Sequence, residues 1–100
     1  MVEELSTPER VHAYLARVLG TDRRFRILEC RFGWVCRPVL SAAEVEQGRG
    51  LGMGNYVVNG ASGVVTAHRS LPPVLIGEEY DRAVAAGEPV PGYQVYPPAP

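Results

Sequence analysis

The chain has 100 residues, 46% of them apolar and 21% charged, with a formal net charge of −1. That is the size of one ordinary domain, and folding a chain of this length removes roughly 65% of its surface from water, enough for one core without a metal or disulfide staple. The balance of charge and hydropathy excludes intrinsic disorder.

All ten basic residues are arginines. The absence of lysine removes the chemistries that need its amine at a fixed place: the Walker A loop, Schiff-base enzymes and kinases. Met1 to Thr7 carries two acidic residues and no apolar run of signal-peptide length. No stretch reaches the roughly 18–20 apolar residues of a membrane span, so a cytoplasmic protein without a membrane partner is expected. Met1 to Arg37 holds seven arginines against five acids, and the remainder three against six. Neither part has the charge density of a nucleic-acid surface, and no nucleic-acid partner is expected.

In chain order, Ser6-Thr7-Pro8-Glu9 is a helix start with a capping residue and a proline pre-set for the first turn. Val11, Tyr14, Leu15, Val18 and Leu19 form one apolar stripe, and Gly20 supplies the stop. Phe25 to Phe32 alternates as a strand with one wet face, Gly33 turns the chain, and Trp34 to Arg37 returns as a second strand ended by Pro38. Ser41-Ala42-Ala43-Glu44 is a capping box for a short helix over 42–47. Arg49 to Asn55, with glycine at every second place, reads as a mobile loop. Tyr56-Val57-Val58 and Val64 to His68 flank Asn59-Gly60-Ala61-Ser62-Gly63 as a second hairpin. Leu71-Pro72-Pro73 predicts an extended connection, and Glu78 to Ala86 a last helix. The expected fold is α+β: an antiparallel sheet of about four strands, built from two hairpins, with an N-terminal and a C-terminal helix on one face. Residues 1–87 form the domain, and the proline-rich 88–100 a C-terminal tail that either packs through Tyr93, Val95 and Tyr96 or stays loose.

Reactive groups are few. Cys30 and Cys36 are equidistant from Gly33, which would set them opposite each other across a turn centred there, yet two thiols in a reducing compartment read as small core residues. Their spacing is not that of a zinc knuckle, and His12 and His68 do not complete one, so no metal is expected. Cys36 with His68 is a conceivable nucleophile–base pair, but no orienting acid or oxyanion loop accompanies it. The glycines of 48–54 fit no phosphate-loop spacing, and no cofactor is expected. Arg23, Arg24, Arg26, Arg31 and Arg37 flank Phe25, Phe32 and Trp34, a pattern also explained by a charged, exposed strand. The acids Glu44 and Glu46 on the short helix, with Glu78, Glu79 and Asp81 on the last, would form a negative surface for a basic protein partner if both helices faced the same way.

The amphipathic first helix, Phe32-Gly33-Trp34-Val35 opening a strand, the segment from Gly54-Asn55-Tyr56-Val57-Val58-Asn59 to Gly63-Val64-Val65, and Glu79-Tyr80 after a proline-containing link together resemble the YrhB-domain, or immunity protein 35, family of bacterial polymorphic toxin systems. Asn59 stands where that family has Asp, and Ser62 where it has Thr; its proline after Gly-Asn is absent. The resemblance implies a small antitoxin-like protein that binds a cognate toxin and blocks it by occlusion, with no catalytic residue of its own. The competing expectation is a small accessory enzyme or ligand-binding protein with a pocket between sheet and helices.

Overall fold

The computed structural model describes residues 2–48 and 54–98; most of the expected glycine-rich loop lies outside them. A short 3-10 turn, Glu3–Leu5, precedes α1 (Pro8–Leu19). Thr7 caps α1 by accepting from the Arg10 backbone N–H at 3.2 Å, and Gly20 closes it at φ 63°. Strands β1 (Phe25–Cys30), β2 (Gly33–Pro38), β3 (Asn55–Asn59), β4 (Val65–His68) and β5 (Tyr93–Tyr96) form one antiparallel sheet in chain order. Helix α2 (Ala42–Glu46) lies between β2 and β3, and α3 (Pro73–Ala86) between β4 and β5. The fold is α+β with an antiparallel sheet, as expected. The fifth strand comes from the proline-rich C-terminal segment, whose Tyr93, Gln94 and Tyr96 pair with Ala67, Thr66 and Val65.

The helices do not share a face. Side chains alternate across a strand, and Phe25, Trp34, Cys36, Val58 and Val65 pack with Leu5 and with Val11, Tyr14 and Leu15 of α1. Val35 and Val57, from the intervening positions, pack with Ile76 and Tyr80 of α3. The sheet is therefore sandwiched between α1 and α3. The cause lies in β2, where every residue from Gly33 to Cys36 is buried. A strand that is apolar on both sides needs a cover on both.

Helix α3 also begins five residues before the expected Glu78. Pro73 stands in its first turn, where the missing N–H costs nothing, so the Pro-Pro pair starts the helix that it was expected to postpone. Gly77 lies within that helix at its approach to the sheet; a Cβ there would come 3.2 Å from the Cys30 side chain.

Trp34 ties the N-terminal turn to the core. It is 3% exposed, and its indole N–H donates to the Leu5 carbonyl at 2.9 Å, satisfying the one polar atom that the ring brings inside. Replacing Trp34 with Ala removes that volume and leaves the Leu5 carbonyl without its donor. A loss of about 3–5 kcal/mol in urea unfolding is expected; an unchanged midpoint would show that Trp34 does not anchor the core.

Candidate functional site

The acidic residues divide by what they hold. Glu44 completes the capping box of α2, accepting from the Ser41 N–H at 3.0 Å while the Ser41 hydroxyl accepts from the Glu44 N–H at 3.2 Å. The same carboxylate takes both arms of Arg23, at 3.0 and 2.6 Å. This guanidinium, with the Ser41 amide second, holds the Glu44 carboxyl down to about 2. Asp81 receives the backbone N–H groups of Arg31 and Phe32 at 2.9 and 3.0 Å, so it closes the β1–β2 turn from α3. Glu79 pairs with Arg69 at 2.8 Å. Glu46 and Glu78 are exposed, and neither has a salt bridge among the described residues.

Arg23, the partner of Glu44, precedes β1, whereas Asp81 grips the turn that follows it. A six-residue strand spans about 20 Å, so Glu44 and Asp81 serve opposite ends of β1 and not a common patch.

Cys36 is kept apart from Cys30 and His68. The turn of the first hairpin is Arg31-Phe32, with Cys30 paired to Gly33 and Cys36 to Ile27. Cys30 points toward α3 and Cys36 toward α1, so the expected opposition of the two thiols does not occur. Both are free. Burial pushes Cys36 up to about 12 and Cys30 up to about 11, so both are protonated thiols at neutral pH. His68 packs edge-on to Tyr80 of α3, with ring centroids 6.1 Å apart, on the face away from Cys36. With the sheet between them, Cys36 and His68 cannot act as nucleophile and base.

Around His68 lies a polar cluster that no sequence pattern announced. The Thr66 hydroxyl meets His68 Nε2 at 2.6 Å, and Asn59 Nδ2 donates to the Tyr80 hydroxyl at 3.0 Å. Asn59 Oδ1 also accepts from the N–H groups of Ala61 and Ser62, at 2.9 and 3.0 Å, which shapes the β3–β4 turn. Asn55, 1% exposed, donates to the carbonyls of Arg69 and Leu71, at 3.0 and 2.9 Å, and so fixes the chain leading into α3. These residues look ordinary in sequence because their partners come from β4, α3 and the link between them.

The aromatics near the arginines are likewise internal: Phe25 is 8% exposed and Trp34 3%, so neither ring offers a stacking platform. Arg31 lies over the Phe32 ring at 4.9 Å, and Arg37 donates to the Leu71 carbonyl at 3.3 Å. No three His, Cys, Asp or Glu side chains among the described residues could hold a metal ion together. A surface groove of about 440 Å³ runs between α1 and β1, lined by Pro8, Glu9, His12, Ala13, Phe25 and Ile27.

Residues 7–88 match the Immunity protein 35-like domain. The chain belongs to this family. No curated protein matches it, and no solved structure does. Membership gives the chain an immunity-protein role in general terms, and no helix among the described residues is long and apolar enough to cross a membrane.

Two stability tests follow from this geometry. Asp81→Ala strips two strand-turn amides of their acceptor and should cost about 1–3 kcal/mol, whereas Glu78→Ala should change the urea midpoint little. Equal effects would mean that Asp81 is not the turn's clasp.

Burial, with Arg69 adding to it and Glu79 opposing, lowers the affinity of His68 for a proton below the ordinary value of 6.5. The unfolded chain then binds more protons than the native one below pH 6.5, so the His68 contribution is whole above that pH and falls away below it. Glu44 loses its contribution only further down, from about 4.5 toward 2. Unfolding midpoints should therefore drop between pH 7.5 and 5.5, and His68→Gln should flatten that part of the profile. An unaltered slope in the variant would assign the loss to another group.

Proposed function

We propose that this protein is a bacterial, cytoplasmic immunity protein that neutralises a cognate toxin domain by binding and covering it, with no catalysis of its own. Its partner is a protein and not a nucleic acid or a membrane. The observation that carries the reading is the match of residues 7–88 to the Immunity protein 35-like domain. The chemistry supports it: both cysteines are protonated and turned to opposite faces, and His68 is enclosed beneath Tyr80. Such a protein works through surface complementarity, and a stable complex would remove roughly 1,200–2,000 Å² from water. Of the five acids, Glu46 and Glu78 have carboxylates open to a partner, while Glu44, Glu79 and Asp81 act chiefly within the fold.

The experiment is co-expression with the toxin-like proteins encoded by neighbouring genes of its native genome, whose absence would itself count against the reading. Growth should be restored, and the two chains should co-elute from size exclusion as a stoichiometric complex. Restoration without complex formation, or turnover of a small molecule by the purified protein that one side-chain replacement abolishes, would end the reading.

A further inference from the structure

We infer that the open edge of β1 is a strand-addition site. An extended segment of a partner protein pairs there, with apolar side chains in the groove beside α1 and acidic ones against Arg24 and Arg26. The inference rests on the partner-binding reading above and gives it a location.

Among the described residues, strand β1 stands at the end of the sheet and pairs only with β2. Its backbone groups alternate between that neighbour and the outside. The Arg24 carbonyl accepts from the Val39 N–H at 2.9 Å, so position 24 faces inward. The Phe25 N–H points the other way and donates to His12 Nε2 at 3.3 Å, so position 25 faces outward. By the same alternation, the N–H and C=O groups of Ile27 and Glu29 form an unpaired row. The β1–β2 register runs unbroken from Phe25↔Pro38 to Cys30↔Gly33, without a bulge to twist this edge away. The opposite edge is managed differently: β5 has four residues, a register shift against β4, and Pro97 directly after it.

The side chains flanking the open row are sorted by face. On the α1 side lies the groove formed by Pro8, His12, Ala13, Phe25 and Ile27, bordered by Glu9 within it and by exposed Glu29. On the α3 side, Arg24 and Arg26 are exposed without a salt bridge among the described residues, next to Leu28 at 40% exposure. A second copy of this strand offers no acid on the α3-side face to answer Arg24 and Arg26, so self-association gains nothing from the two arginines. A partner strand with acids at alternate positions gains from the same arginines, while Glu9 and Glu29 repel those acids from the groove side. Main-chain pairing supplies the attraction and the sorted faces supply the selectivity.

The test uses blocked peptides of about eight residues, one alternating valine with glutamate and one valine with lysine, added to the isotope-labelled protein. The acidic peptide should slow amide exchange at Ile27 and Glu29 by about tenfold or more, and the basic one should not. In Glu29→Pro, the outward donor is lost with no ladder bond removed, so binding should weaken at least about tenfold at an unchanged melting temperature. Arg24→Glu with Arg26→Glu should reverse the peptide preference, a second readout that stands even where the proline variant does not fold. Absence of binding, protection centred elsewhere, or indifference to peptide charge would overturn the edge site.

The toxin co-expression separates this inference from the reading beneath it. A folded Glu29→Pro variant that neutralises as well as the natural chain overturns the edge and leaves immunity standing. Peptide docking at β1 with no protection from the toxin upholds the edge and removes immunity.

Discussion

Strand β2 carries Trp34 and Cys36 toward one side of the sheet and Val35 toward the other, and all three are at most 3% exposed. Burial on both sides forces the architecture. One helix cannot cover two faces, so α1 with the N-terminal turn takes the tryptophan side and α3 takes the valine side. The same division decides the chemistry. The sheet separates Cys36 from both His68 and Cys30, which leaves the most deeply buried thiol without a base or a second thiol on its side.

The polar side chains that matter most to this fold work as clasps on backbone groups. Asp81 holds two amides of the β1–β2 turn, Asn59 two of the β3–β4 turn, and Asn55 two carbonyls on the way into α3. Tyr14 donates to the Gly63 carbonyl at 2.6 Å and so ties α1 to the second hairpin. The Asp81 and Tyr14 bonds settle where a hairpin turn lies relative to a helix, Asn55 ties the link into α3 to the sheet, and Asn59 shapes its own turn. Buried backbone donors and acceptors are costly when unpaired, and here long-range side chains meet that requirement where no ladder reaches. An acidic residue on a helix is thus a poor guide to a binding surface: Asp81 and Glu44 are committed inside the molecule by partners 50 and 21 residues away in sequence.

The local signals were legible. The stripe from Val11 to Leu19, the Ser41–Glu44 capping box and the Asn59–Gly63 turn each arise from residues within one or two turns of chain, and each forms as its spacing implies. The run Trp34-Val35-Cys36 also carries the sign of a doubly buried strand, which a hairpin with one wet face does not need. The start of α3 is not legible locally, because Pro-Pro is equally at home ending an extended link and opening a helix; the packing of Ile76 and Tyr80 on Val35 and Val57 decides between them. The first hairpin turns on Arg31-Phe32 and not about Gly33, so Cys30 pairs with Gly33, three residues short of Cys36; an odd offset puts side chains on opposite faces, which is why the cysteines part. β5 was invisible for a related reason. Its four residues make a strand only because β4 presents an edge to them.

The two ends of the sheet then stand in contrast. Edge strands are hazards unless blunted, and β5 is short, irregular in register and stopped by proline. β1 is longer and regular, and of its outward donors the one at Phe25 is occupied, by a histidine side chain from α1. Its protection is electrostatic instead, resting on Arg24 and Arg26, and such protection is selective by nature. Arg24 and Arg26 find no acid on the same face of another copy but attract one on a partner strand, so the edge favours an acidic occupant over a copy of itself. For a protein whose buried groups are inert and whose clasps are already engaged, a regular edge with a chosen charge is the feature of the surface best able to recognise a partner.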